Sequence, residues 1–198
     1  MATHPRAFIA EDRYLGYRDA DWAKPYASFF REDAPPPSPR AERAVIAGRQ
    51  PFEFAVPRAE IADALSLPGY LKMENGWAVL PNGELCIAVH TPMPGVRPEM
   101  IDWWFGWHIK ETARYKLWHP DAHRFTAPAE DRCDEPGLPD RERYIGNTSF
   151  IDEYIGGKLS RLAVHFQDPR TLGFATDDPD STVIVARGGG SDVPVVSA

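Results

Sequence analysis

Apolar and polar residues follow two different periods in the first half of the chain, and each period predicts a different element. Ile61 and Leu65 lie four residues apart behind a proline, which is typical of a short amphipathic helix. Further on, the apolar runs 77–80 and 84–90 flank a Pro-Asn-Gly sequence, whose last two residues tolerate the backbone of a tight turn. We therefore predict a helix followed by a β-hairpin.

The second half begins with a longer helical pattern. Pro98 and Glu99 suit the first turn of a helix, and an apolar stripe with the spacing i, i+3, i+4, i+7 follows them. The members of that stripe are Ile101, Trp104, Phe105 and His108. Because Trp103 and Trp107 lie off the stripe, the pattern predicts a helix that is buried on both faces and ends before Pro120.

Strand-like segments follow at 143–155, 159–167 and 182–187, after a polar stretch over 126–142 that has no clear period. Apolar residues alternate along the second segment, which predicts one buried face. The glycines at 188–190 lack the lysine and the following helix of a phosphate loop, so we interpret them as a turn or bulge. Because these elements do not alternate as β-α-β units, the sequence predicts an α+β fold with a curved antiparallel sheet.

Proline-rich sequence marks a boundary near the N-terminus. Residues 34–39 read Ala-Pro-Pro-Pro-Ser-Pro, which forms a stiff connector. The segment before it has too many aromatic residues for a disordered tail, so we expect it to pack onto the main body. We predict a tail over residues 1–13 and a single domain over 14–198. The last residues look like the start of another strand, and we expect this domain to be truncated at its C-terminus.

Composition narrows the class of function. The 198 residues carry a formal net charge of −7, which repels the phosphate backbone of nucleic acids. No apolar run approaches the roughly 20 residues of a membrane span, and Cys86 and Cys133 are too few for a disulfide framework. We therefore expect a cytoplasmic protein that binds neither nucleic acid nor membrane. Its partner should be a small molecule or another protein. The sequence leaves open whether the protein forms a homo-oligomer.

Residues 102–123 contain four of the six tryptophans and three of the six histidines. Aromatic surface beside imidazole groups is typical of a pocket wall, although tryptophans on a helix are also common in a core. Tyr115 either offers its hydroxyl to a polarised substrate oxygen or packs at a helix end. His108 is interpreted as a structural residue with a satisfied hydrogen bond.

His123 and Glu153 are candidate metal ligands. His123 follows Pro120 and so lies in a loop or at the start of a strand, where a ligand can reach it. Glu153 shares a strand face with Ile151 and Ile155, and a carboxylate on an apolar face must be paired, protonated or metal-bound. Zinc binds both residue types, but a catalytic site uses three protein ligands and the sequence pattern supplies two.

The sequence resembles the family of 2,4-diacetylphloroglucinol hydrolase and phloretin hydrolase. The most specific matches are Trp-Trp-Phe-Gly-Trp-His at 103–108 and Tyr-Lys-x-Trp-x-Pro-x-x-His at 115–123. Further matching stretches are 14–17, 22–26, 93–96, 114–123 and 149–157. The resemblance implies a helix-grip fold like that of START and pollen-allergen domains, in which a sheet wraps around a long C-terminal helix. It also implies a zinc-dependent hydrolase that breaks the carbon–carbon bond between a polyphenol ring and an acyl group.

In this family the zinc ion is held by two His-Glu pairs, and the resemblance places the first pair at His123 and Glu153. It also implies pocket roles for five other residues: Tyr115 and Asp131 in catalysis, and Trp104, His108 and Trp118 in substrate binding. The second pair is a His-x-x-x-Glu on the C-terminal helix, and this chain lacks both the motif and that helix. Three hypotheses follow: a zinc hydrolase of polyphenols, a small-ligand-binding protein without catalysis, and an inactive remnant of the hydrolase.

Overall fold

A computed structural model describes residues 13–190 of the chain. By their internal contacts these residues form two compact units, which is a finer division than the single domain suggested by the sequence. Among the described residues, one unit contains 13–34, 97–168 and 178–190, and the other contains 35–96 and 169–177. The predicted tail, apart from residue 13, and the C-terminal end beyond 190 lie outside the described residues.

Residues 13–190 contain short helices and two antiparallel sheets, which confirms the α+β class. The helices are α1 Asp19–Trp22, α2 Pro39–Ala47, α3 Ile61–Ser66, α4 Pro98–His108, α5 Thr112–Tyr115 and α6 Asp140–Tyr144. The strands are β1 Asn75–Val79, β2 Leu85–Val89, β3 His123–Pro128, β4 Thr148–Ile155, β5 Lys158–Gln167 and β6 Val185–Gly190. None of the helices within this part of the chain is long and apolar enough to cross a membrane.

The smaller unit contains the predicted hairpin. Strands β1 and β2 pair with Trp77 opposite Ile87, and Gly83 supplies the positive φ of 87° that the turn needs. The side chain of Asn82 accepts a hydrogen bond from the backbone N–H of Glu84, which fixes the start of β2. The predicted helix is also present as α3, preceded by a 3-10 turn at Arg58–Glu60.

The larger unit is built on a four-stranded sheet with the order β3-β4-β5-β6. One face of this sheet buries the cluster Phe125, Ala127, Phe150 and Ala163. The other face carries Phe166, which packs with Ile109 and Tyr144. Strand β3 falls partly in the stretch for which the sequence predicts no element, because Thr126 and Pro128 interrupt its apolar pattern.

A β-bulge in β3 controls which way His123 points. Phe125 pairs with Asp152, but His123 pairs with Glu153, so the register shifts by one residue between the two β3 positions. Without the extra residue, His123 and Phe125 would lie on the same face, because side chains alternate along a strand. The bulge places the imidazole on the face of Glu153 instead.

The helix predicted from Pro98 ends earlier than the sequence indicates. α4 stops at His108, and Glu111 is extended with φ −141° and ψ 129° before the short helix α5. The side chain of Glu111 is held in this position by Lys24, Tyr26 and Arg114. The prediction that this helix is buried on both faces is also wrong at one position, because Trp103 is 46% exposed.

Two further predictions are wrong in detail. Residues 143 and 144, the predicted start of a strand, instead end helix α6, and Gly146 turns the chain with φ 75° before β4 begins. The glycines at 188–190 lie inside β6, where they pair with residues 162–164 of β5. Ladder hydrogen bonds use only backbone groups, so glycine can continue a strand at the edge of a sheet.

The N-terminal aromatic segment packs onto the larger unit, as the sequence predicts. The hydroxyl of Tyr17 donates to the carbonyl of Ala113 at 2.8 Å. Lys116 is fully buried beneath this segment, where its Nζ donates to the carbonyl of Gly16 at 2.7 Å and lies 3.0 Å from the ring centroid of Tyr14. Burial disfavours the charged amine and lowers the pKa of Lys116 to about 7.

The buried amine predicts that the larger unit becomes more stable as the pH rises above 7. Between the folded pKa of about 7 and the unfolded value of 10.5, the unfolded chain binds more protons at Lys116 than the folded chain does. Relative to Lys116→Met, the free energy of unfolding of the parent protein should therefore rise by roughly 2 kcal/mol from pH 7 to pH 9. Denaturant titrations followed by tryptophan fluorescence will measure this, because five of the six tryptophans lie in this unit. Parallel pH profiles for the two proteins would contradict the prediction.

Candidate functional site

A column of four stacked aromatic rings crosses the larger unit and ends at His123. Trp104 stacks on His108 with the centroids 5.0 Å apart, and His108 stacks on Tyr115 at 5.7 Å. Tyr115 then lies against His123 at 3.6 Å with an interplanar angle of only 4°. The break between α4 and α5 does not prevent this contact of His108 with Tyr115.

His123 is held as a neutral ring with a free lone pair. Its Nδ1 lies 2.9 Å from the carbonyl of Tyr115, and because a carbonyl can only accept, Nδ1 carries the proton. Burial of the ring lowers the pKa of His123 to about 4, so the imidazole is neutral at pH 7. The unprotonated Nε2 lies 3.6 Å from Oε2 of Glu153. Because the imidazole is neutral at pH 7, this contact is not a salt bridge.

Glu153 has the strand position that the sequence predicts. It lies on β4 with neighbours Asp152 and Tyr154 pointing to the opposite face, and its side chain is 18% exposed. Oε2 of Glu153 accepts a hydrogen bond of 2.7 Å from the hydroxyl of Tyr115. Burial and this carboxylate together hold the pKa of Tyr115 above its usual range, so the tyrosine stays a donor.

Two atoms in this cluster can hold a metal ion, the Nε2 of His123 and the Oε2 of Glu153. Within residues 13–190, no group of three or more His, Cys, Asp or Glu side chains is arranged to hold a metal. The neighbouring carboxylate of Asp152 is not available, because it is fully buried on the other face and paired with Arg13 at 2.7 Å.

The other aromatic candidates have different positions around the ring column. Trp118 is 54% exposed and presents its edge to the rings of His108 and His123 at 5.8 and 6.0 Å. His108 is buried, and its Nδ1 bonds the carbonyl of Trp104 at 2.8 Å, in keeping with the structural role inferred from the sequence. Burial lowers the pKa of His108 to about 4, so it supports Tyr115 as an uncharged ring.

Asp131 is not brought to this cluster. Its carboxylate pairs with Lys110 at 2.9 Å and accepts from the backbone N–H of Cys133, and its side chain is 51% exposed. It follows the far end of β3, and at about 3.3 Å per residue that end lies roughly 17 Å from His123. Proximity in sequence to β3 therefore does not bring Asp131 to Tyr115.

Sequence reasoning missed the backbone features that assemble the cluster. The bulge that turns His123 toward Glu153 has no signal in the residues around Arg124. The carbonyl of Tyr115, which fixes the protonation of His123, belongs to a helix end that the sequence pattern does not mark. The likeness of Tyr115 to a pocket residue of the related hydrolases was the one available pointer.

Comparison with known proteins gives consistent matches. Over 157 residues the chain is 36% identical to a 2,4-diacetylphloroglucinol hydrolase of Pseudomonas protegens, and the match covers 78% of this chain and 50% of that protein. It is also 36% identical to a protein of the same name from a Pseudomonas species, of which it covers 53%. A phloretin hydrolase of Eubacterium ramulus is 35% identical over 102 residues, which are 50% of this chain and 37% of that protein.

The chain thus spans about half the length of the two Pseudomonas relatives. The model of the DAPG hydrolase PhiG domain family matches residues 56–193, which include β3, β4 and the whole ring column. The chain therefore belongs to the DAPG hydrolase PhiG domain family.

Proposed function

We propose that this chain contributes half of a zinc site to a hydrolase that cleaves the carbon–carbon bond between an acyl group and a polyphenol ring. The observation that carries the proposal is the contact between His123 and Glu153. Two acceptor atoms, a bare imidazole nitrogen and a carboxylate oxygen, lie 3.6 Å apart on a partly buried face. A cation placed between or beside these two atoms would be attracted to both of them.

The chemistry of the two atoms suits zinc. Neutral imidazole and carboxylate oxygen are both ordinary zinc ligands, and the bond from Nδ1 to the carbonyl of Tyr115 orients the ring for coordination through Nε2. A zinc ion bound there would supply a Lewis acid for the acyl carbonyl and lower the pKa of a water molecule. The chain's own contribution is to present the imidazole of His123 with its Nε2 unprotonated at neutral pH.

We also propose the helix-grip arrangement for the complete site. In that fold a sheet wraps around a long helix, and the resemblance places the second His-Glu pair on this helix. Within residues 13–190 the longest helix is α4, with 11 residues. We therefore propose that the remaining ligands are supplied by residues other than 13–190.

We assign Tyr115 and Trp118 to contacts with the substrate. The hydroxyl of Tyr115 can turn from Glu153 to the carbonyl oxygen of a bound acyl group and stabilise negative charge there as water adds to the acyl carbon. The step requires the keto tautomer of the phenol, in which the acyl-bearing ring carbon has gained the hydroxyl proton. The bond from the acyl carbon to the ring then breaks, its electron pair passes through the ring to the keto oxygen as an enolate, which takes up a proton to give the phenol, and the acyl carbon leaves as a carboxylic acid. The exposed face of Trp118 offers a stacking surface for the polyphenol.

The names of the relatives supply the substrate to test. Acetate release from 2,4-diacetylphloroglucinol should be assayed in a version of this chain extended by the C-terminal part of a Pseudomonas relative, and zinc should be measured in the same protein. If that protein holds zinc and releases acetate, the proposal is supported. If it binds the polyphenol without zinc and without turnover, a ligand-binding protein replaces the hydrolase.

For the chain itself we predict weak zinc binding that depends on His123. With two ligands the affinity should lie well below that of a complete site, and His123→Ala should lower it at least about tenfold, because one of the two protein ligands is lost. Titration against a chromophoric chelator measures this affinity. His119→Ala is the matched control, since His119 is an exposed neighbour whose ring lies 5.7 Å from that of His123. Equal effects of the two substitutions would contradict the assignment.

The substitution Tyr115→Phe separates the role of the Tyr115 ring in stacking from the role of its hydroxyl group. The variant keeps the ring against His123 but removes the donor to Glu153. In the extended protein we expect a kcat about 100-fold lower with zinc content unchanged, because a donor to the developing oxyanion is lost. A loss of zinc together with activity would instead mean that Tyr115 acts by positioning Glu153.

A further inference from the structure

A second aromatic surface lies on the side of α4 adjacent to the ring column. Trp103 and Trp107 stack with their centroids 5.1 Å apart, and Tyr26 meets Trp107 edge to face at 5.1 Å. Together with Phe29 and Leu117 they line a cavity of about 780 Å³ within the larger unit. This volume lies in the range of small-molecule sites, and most of its walls are apolar.

The rim of this cavity, here called the Trp103 cavity, carries a surplus positive charge. Glu111 is bound by Lys24, by the hydroxyl of Tyr26 at 2.6 Å and by Arg114 at 3.1 Å. Among the side chains that line the cavity, one carboxylate thus faces two cations, on a protein whose net charge is −7. Lys24 is 39% exposed, so its ammonium group keeps hydrogen-bonding capacity for a further anion.

The Trp103 cavity is separate from the cluster of His123 and Glu153. The two share Trp104, whose ring lines the cavity and also stacks on His108. The rings of His108 and Tyr115 then stand between Trp104 and His123. A molecule in the cavity would contact neither of the proposed metal ligands.

We propose that the Trp103 cavity binds a flat aromatic molecule that carries one negative charge. The exposed indole of Trp103 offers a stacking face for the ring, and the surplus charge of Lys24 and Arg114 receives the anionic group. A cationic ligand is disfavoured because Glu111 already accepts from three donors. The site is independent of zinc and of the proposed hydrolysis.

The test uses 2-naphthoate and its uncharged isostere 2-naphthamide as probes, with binding measured by calorimetry and by the indole N–H signals in NMR spectra. We expect 2-naphthoate to bind about threefold more tightly than 2-naphthamide. In Lys24→Met this preference should disappear. Lys110→Met is the matched control, because Lys110 pairs with Asp131 and Asp134 elsewhere on the surface, and it should keep the preference.

A second pair of variants locates the bound ring. Trp103→Ala should weaken both probes about fivefold through the lost stacking face, whereas Trp118→Ala should leave them unchanged. Equal affinity of the two probes in the parent protein would overturn the proposal, as would weaker binding in Trp118→Ala without an effect in Trp103→Ala. His123→Ala should bind both probes normally, so a failure of the zinc proposal leaves this result intact.

Discussion

In a regular strand His123 and Phe125 would point to the same side of the sheet, and the imidazole would lie on the side of the buried Asp152. The extra residue between them moves His123 to the side of Glu153 while Phe125 stays in the apolar cluster of the opposite face. The contact between the two candidate ligands depends on this shift, because only then do Nε2 of His123 and Oε2 of Glu153 approach each other. A β-bulge removes backbone hydrogen bonds between two strands. Here the hydrogen bonding between β3 and β4 is interrupted beside the residues that we propose as metal ligands.

Tyr115 connects the remaining parts of the site to this bulge. Its carbonyl holds the proton on Nδ1 of His123, its ring covers the imidazole, and its hydroxyl bonds Glu153. The carbonyl oxygen of Tyr115 also accepts from the backbone N–H of Trp118 at 3.2 Å, so one oxygen with two lone pairs serves both the turn after α5 and the imidazole of His123. The early end of α4 and the short α5 contradict the simpler helical pattern of the sequence.

The sequence predicts those parts of the site that depend on side-chain alternation and composition. The position of Glu153 on the inner face of β4 follows from its apolar neighbours, and the aromatic segment identifies the helix that lines the site. What the sequence does not predict depends on the backbone. The bulge in β3, the extended conformation of Glu111 and the pairing of the glycines at 188–190 all arise from tertiary contacts that no local pattern records.

The aromatic residues of α4 are used on two sides of the helix. Trp104 and His108 are one turn apart and extend the ring column toward His123, while Trp103 and Trp107 are one turn apart on the adjacent side and line the cavity next to Tyr26. A core helix needs only one such row, so the second, partly exposed row is not explained by packing alone. Its tryptophans lie beside two cations and one carboxylate, and indole surface next to unbalanced charge is the chemistry of a ligand site rather than of a core.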